Sequence, residues 1–266
     1  MPSGGGICKL LVTMPSKPLS LHPGLPGLNQ PGFVFTGAHL VTTAPGIRNS
    51  LPPARLDGLL GAAREAGWSV NLLDANPRKL ILTFDDGRRF DDDLAGVLDA
   101  HDATAVFFVC TARRLACYAD EPPYWELTEA NRRYLLERHV VGGHTHDHAH
   151  LGRLPAAEQD AVIADGAERF QASFGFAPRC FSYPWGAYRG ATLRALRASG
   201  VRYAFLGRAG QLPTHDYLIP RVFLDTGDWA GDFDFVRRKR GEAVSNGKLL
   251  LRRVHAGVHL AAGARA

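Results

Sequence analysis

The sequence predicts an α/β protein with parallel strands, arranged as a sheet or barrel with crossover helices. Short apolar, partly β-branched runs alternate with amphipathic stretches at the spacing of βα units. The run Leu80-Ile81-Leu82-Thr83-Phe84 reads as a buried strand that ends in two carboxylates and a glycine, Asp85-Asp86-Gly87. A second run, Val140-Val141-Gly142-Gly143, leads straight into a histidine cluster. Strand ends of this kind are where active sites sit in parallel α/β folds.

The elements follow in order. Residues 1–31 are rich in Pro, Gly and Ser and read as a loosely ordered arm ahead of one domain, 32–266. Gly32-Phe33-Val34-Phe35-Thr36 is the first strand, followed by Gly37, Ala38 and His39. Pro52 and Pro53 open a helix that keeps Leu56, Leu59, Leu60 and Ala63 on one face, and Gly67 stops it. A short strand is expected over 70–73, before Asn76-Pro77 breaks the chain ahead of the central strand. A helix over 90–98 carries acidic residues in its first turn, where they suit the helix dipole. A strand over 105–110, an insertion with Pro122 and Pro123, and a helix over 128–138 complete the approach to Val140. After the histidines come a long helix over 155–174, a strand over 180–183 and a helix over 191–198. Strands over 201–206 and 218–224, a helix over 232–240 with a basic end, and a last strand over 249–254 finish the chain.

Composition narrows the class. Hydrophobic content of 45% and charged content of 21% fit a globular protein with a large core. A net charge of +5, with no lysine-rich arm and no aromatic–basic pattern, argues against a nucleic-acid partner. Cys8, Cys110, Cys117 and Cys180 form no C-x-x-C, so neither a zinc ribbon nor a thioredoxin motif is suggested. Cys110 and Cys180 lie in apolar runs and read as small core residues. No secretory leader and no membrane-spanning run is seen, so the expected location is the cytoplasm.

The chemistry lies in His144-Thr145-His146-Asp147-His148-Ala149-His150. His144 and His148 are four apart and share a face if they sit on a helical turn. Two imidazoles and a carboxylate make a site for Zn²⁺, Co²⁺, Ni²⁺ or Mn²⁺, with positions left for water and substrate. The carboxylate is one of Asp85 and Asp86. His146 points away from the face of the other two, and His150 is placed to orient a ligand from behind.

Thr83-Phe84-Asp85-Asp86-Gly87 and His144-Thr145-x-x-His148 resemble the first two motifs of the polysaccharide deacetylase superfamily (the NodB-homology domain, carbohydrate esterase family 4). Phe181-Ser182-Tyr183-Pro184-Trp185-Gly186 resembles its third motif. Ile219-Pro220-Arg221-Val222 and Asp225-x-x-Asp228-Trp229 resemble later ones. The resemblance covers roughly residues 33–240. It implies a distorted (β/α) barrel of NodB-homology type, with about seven strands, and metal-dependent hydrolysis of an N-acetyl group. It further implies Asp86, His144 and His148 as metal ligands and Asp85 as general base. Tyr183 and Trp185 would border the substrate, with the Trp185 N–H facing the oxyanion.

A histidine must protonate the leaving amine. His39, after the first strand, is preferred to His255, after Leu249-Leu250-Leu251. Asp225, Asp228 and Trp229 would brace that acid or line the sugar cleft, and Arg221 would pair with Asp85. The expected function is a zinc-type deacetylase acting on an N-acetylated amino sugar or glycan. The alternatives are hydrolysis of a non-sugar amide or cyclic imide, and a non-catalytic carbohydrate-binding barrel.

Overall fold

A computed structural model describes residues 18–22, 25–113, 115–119, 126–207, 215–225, 233 and 236. Nine strands and five α-helices are formed among them. The strands are β1 (Phe33–Ala38), β2 (Leu40–Val41), β3 (Ser50–Leu51), β4 (Lys79–Phe84), β5 (Val106–Val109), β6 (Val140–Gly143), β7 (Cys180–Ser182), β8 (Tyr203–Phe205) and β9 (Val222–Phe223). The helices are α1 (Pro53–Glu65), α2 (Asp92–Ala100), α3 (Glu129–Arg138), α4 (Ala156–Phe174) and α5 (Gly190–Ala198).

Seven strands make one curled parallel sheet in the order β8-β7-β6-β5-β4-β1-β9. This is the distorted (β/α) barrel that the resemblance implied. The curl brings its two edges onto one stretch of chain. Ile219 bridges Phe205 of β8, and three residues later Val222 pairs with Thr36 of β1. Pro220, between them, has no N–H to give to either neighbour.

Side chains alternate across the sheet. Val34, Leu80, Leu82, Phe84, Phe107, Val109 and Val141 face outward and pack on Leu56, Leu59 and Leu60 of α1 and Leu94 and Leu98 of α2. Phe33, Phe35, Ile81, Val106, Phe108, Phe205 and Ile219 face inward and fill the barrel. Gly37 and Gly142 occupy inward positions where a Cβ would strike the Phe223 ring at 2.7 Å and the Cys180 carbonyl at 2.6 Å. They make room for large inward neighbours.

The helices follow their local signals. Asp91 caps α2 by accepting from the Asp93 N–H, with Asp92 and Asp93 in the first turn. Thr128 and Asn131 form a capping box at α3. Gly175, at φ 80°, closes α4 in the left-handed conformation.

Besides the 218–224 strand, which forms only as β9 and the Ile219 bridge, two stretches differ from the sequence reading. Residues 70–73 are not a strand; only Ser69 makes an isolated bridge, to Lys79. Local hydrogen bonds replace the ladder there: Asn71 and Leu73 N–H groups are taken by Ser69 Oγ and Asn71 Oδ1, and the buried Lys79 ammonium donates to the Asn71 and Asp74 carbonyls. The described part of the 1–31 stretch packs on the barrel. Leu19 and Leu28 are buried in the interior cluster, and Ser20 Oγ accepts the Val141 N–H at 2.8 Å. Those apolar residues plug the floor, at the strands' N-terminal ends.

Candidate active site

The inward alternation continues past the C-terminal ends of the strands. From Ile81 it reaches Thr83 and Asp85, from Phe108 Cys110, from Val140 His144, from Cys180 Ser182, and from Ile219 Arg221. Below this level the barrel is apolar. At its rim every one of these positions is polar, and all of these side chains are buried.

Arg221 and Asp85 form the centre of the layer. Arg221 Nη1 donates to Asp85 Oδ1 at 2.6 Å and Nη2 to Asp85 Oδ2 at 2.7 Å, a bidentate pair. The remaining guanidinium contacts are to Leu206 O, Thr83 Oγ1 and Ser182 Oγ. Burial by itself would push the Asp85 carboxyl up. The Arg221 charge overrides it and holds the carboxyl below the usual carboxylate range.

Asp86 would face away if the strand simply continued. Its φ of 72° turns it into the rim instead. Gly87 follows at φ 69°, pressed so close to Val109 that a Cβ would lie 2.5 Å from its Cγ1. Three imidazoles converge on the Asp86 carboxylate. His144 Nε2 and His148 Nε2 each lie 3.4 Å from Oδ1, and His39 Nε2 lies 4.0 Å from Oδ2. Against the penalty of burial, the His39 and His144 charges hold the Asp86 carboxyl far below its ordinary range. His144 and His148 meet through a tight turn rather than the helical turn the spacing suggested. Thr145 at φ 63° and His148 at φ 64° both adopt left-handed backbone.

These residues fit a divalent cation. His144 Nδ1 lies 2.8 Å from the Ser182 carbonyl, which leaves Nε2 as the ring nitrogen facing Asp86. Burial and the neighbouring His144 charge pull His148 down to about 4, so its ring is neutral. Two imidazole nitrogens and an ionised carboxylate facing one another make a donor set that suits a divalent cation. Cys110 is close as well: ligand atoms of Asp86, Cys110 and His144 all lie within 4.8 Å of one another. Its Sγ donates to the His144 carbonyl at 3.1 Å, and burial, with the Asp86 and Asp85 charges, pushes the thiol well above its usual range.

His39 sits opposite, held by Asp225. Its N–H and Nδ1 both bond Asp225 Oδ2, at 2.8 and 2.6 Å. Burial would lower its pKa, but the Asp86 charge and the Asp225 hydrogen bond raise it to about 9. Trp185 lies at the mouth, 61% exposed, at a left-handed φ of 60°. Its Nε1 donates to the His148 carbonyl, and its ring lies tilted 4.9 Å from His148 and stacks 6.3 Å from His150.

Tyr183 does not join the cluster. It follows inward-facing Ser182 and so faces outward, packed on Phe181 and Tyr188, with its hydroxyl donating to Tyr217 O. His146 is taken up by Thr111 Oγ1, at 2.8 Å. His255, Asp228 and Trp229 lie outside the described residues. Ser182 and Cys110 were missed as site residues, although the alternation from Cys180 and Phe108 carries both to the rim. Ser182 Oγ donates to Asp85 Oδ2 while its carbonyl orients His144, so one residue ties the two halves together.

Residues 73–204 match the family model described as polysaccharide deacetylase. Through that stretch the chain resembles the polysaccharide deacetylases. Among solved structures it is similar to the Streptococcus pyogenes deacetylase PplD in complex with acetate, at 16% identity and TM-score 0.63, covering 78% of this chain and 97% of that one. It is also similar to IcaB from Ammonifex degensii, at 20% identity and TM-score 0.63, covering 79% and 97%. A third is a de-N-acetylase from Aggregatibacter actinomycetemcomitans, at 15% identity and TM-score 0.63, covering 78% and 99%. At these identities the likeness is one of fold. No curated protein matches the chain. No helix among the described residues is long and apolar enough to cross a membrane.

Proposed function

We propose that the protein is a metal-dependent hydrolase that removes the N-acetyl group of an amino sugar or glycan, and that residues 32–266 form its catalytic domain. The observation that carries this reading is the convergence of three imidazoles on Asp86, beside a second carboxylate bound to Arg221.

Asp86, His144 and His148 would hold the cation. Zn²⁺ suits them best, with Co²⁺, Ni²⁺ or Mn²⁺ as substitutes. Bound there, it supplies polarisation of the acetyl carbonyl and an acidified water. Asp85 is the base that takes the water's proton. Arg221 keeps it ionised and Ser182 keeps it aimed. His39 enters protonated and delivers its Nε2 proton to the leaving amine, while Asp225 holds Nδ1. The Trp185 N–H faces the developing oxyanion, and its exposed indole offers a flat surface to a sugar ring.

The test is acetate release from a panel of N-acetylated sugars and oligosaccharides, using metal-loaded and chelator-treated protein. Release is expected only from the loaded protein, with Asp85→Asn inactive. If loaded protein releases no acetate and Asp85→Asn binds the same sugars as wild type, the reading fails in favour of a carbohydrate-binding barrel.

A further inference from the structure

We propose that Cys110 is a further protein donor to the cation held by Asp86 and His144, which makes this rim a mixed sulfur, nitrogen and oxygen site. The inference rests on the metal site of the proposed function and adds a residue to it.

Four observations carry it. The strand alternation brings Cys110 inward at the same level as Asp85, His144 and Ser182. Its Sγ lies within 4.8 Å of donor atoms on both Asp86 and His144. Backbone bonds fix it against both residues: the Cys110 N–H donates to the Asp86 carbonyl at 3.3 Å, and the His144 N–H donates to the carbonyl of Val109, next in the chain to Cys110, at 3.2 Å. All three residues are buried, at 5%, 2% and 1% exposure, so sulfur competes with little water for a coordination position.

The present partner of the thiol is weak. An S–H donor to a carbonyl is among the poorest hydrogen bonds a side chain can make. A rotation about Cα–Cβ exchanges it for a bond to the cation. The thiol proton leaves to solvent, the sulfur lone pair goes to the cation, and the His144 carbonyl loses one weak donor. A coordinating thiol is deprotonated outright by the cation it binds. Cys180 gives the contrast, an inward cysteine one layer lower in the apolar cluster with no such neighbours. A sulfur donor favours zinc and cobalt over magnesium and manganese. Selectivity for soft cations is therefore set by a residue outside the aspartate and histidines.

Cobalt substitution tests this without reference to turnover. Chelator-stripped protein is loaded with Co²⁺ and its absorption spectrum recorded for wild type, Cys110→Ser, Cys110→Val and Cys117→Ser. Wild type and Cys117→Ser are expected to show a sulfur-to-cobalt charge-transfer band in the near ultraviolet, beside the visible d–d bands. Both Cys110 variants should keep the d–d bands and lose the charge-transfer band. Their Zn²⁺ affinity, by competition with a chromophoric chelator, should fall at least about tenfold. Cys110→Val keeps the apolar packing if serine impairs folding, and circular dichroism of the stripped proteins checks this. Visible bands without a charge-transfer band in wild type, or a band that survives in both Cys110 variants, overturn the role of Cys110 and leave the metal site standing. Absence of any cobalt spectrum overturns the metal site itself.

Discussion

Replacing Arg221 by methionine should be among the most damaging single changes in the chain. Arg221 is 1% exposed, and its five donors reach Asp85, Thr83, Ser182 and the Leu206 carbonyl. Methionine fills much of the same volume, so the loss from packing is small. What remains is a carboxylate, 4% exposed, whose bidentate counter-charge is gone and whose hydrogen bonding is reduced to Ser182 Oγ at 3.1 Å. Breaking one partner from a buried pair costs about 3–5 kcal/mol, against a typical total stability of about 5–15 kcal/mol. With a urea m-value of about 3 kcal/mol/M, the midpoint should fall by about 1–1.7 M.

The double variant Arg221→Met, Asp85→Asn removes the stranded charge. It should recover at least about 2 kcal/mol relative to the sum of the single losses. The deficit of Arg221→Met should also narrow at low pH. In the variant, burial without a counter-charge raises Asp85 above its unfolded value, so stability returns as pH falls. In wild type the carboxyl is held low, and its contribution is lost as pH falls below the unfolded value of about 3.9. Urea titrations of chelator-treated protein at several pH values measure all three effects. A single-variant loss under about 1 kcal/mol, or strict additivity in the double variant, would refute the argument.

Four further outcomes are expected. His39→Asn should lower kcat by about 10²–10⁴-fold while leaving Zn²⁺ affinity nearly unchanged, as fits a proton donor that is not a ligand; isothermal titration and acetate assays separate the two. His139, 1% exposed, is held down to about 3 by burial and by Arg138, so the unfolded chain takes up a proton below its value of 6.5 and the folded chain does not. Stability should fall by about 1.6 kcal/mol between pH 6.5 and pH 5 on this account, and His139→Gln should flatten that slope in thermal melts. Leu28→Ala, at a residue 2% exposed, should cost about 2–5 kcal/mol by urea denaturation. Chelation should abolish acetate release, and Zn²⁺ or Co²⁺ should restore it.

The barrel was legible because β1 and β4 are long enough to show their pattern, and Leu80 to Gly87 displays both the buried run and the polar end in eight residues. Asp85, Asp86, His144 and His148 could be picked out because like residues crowd one strand end each. Ser182 and Cys110 could not, since a lone serine or cysteine in an apolar run reads as core until the opposite wall is in place. The Tyr183 side chain lies off the cluster because period-two alternation sends Ser182 and Tyr183 to opposite faces. The 70–73 stretch has strand composition, but Ser69, Asn71 and Lys79 satisfy its backbone locally. The plug was hidden in a stretch whose Pro and Gly content masked three spaced leucines, Leu19, Leu25 and Leu28.

That plug also orders the assembly of the chain in time. Ser20 bonds Val141, 121 residues downstream, and Leu28 joins a cluster that includes Phe205 and Ile219. Residues 19–21 pack against α3 and β6, which do not exist as partners until the chain has been made past residue 143. A segment synthesised before β1 must therefore wait through most of translation. It seats only on a barrel that has curled, and contacts so distant in sequence form late because their loop closure is costly. The contacts of Leu19, Ser20 and Leu28 therefore belong among the late contacts of folding.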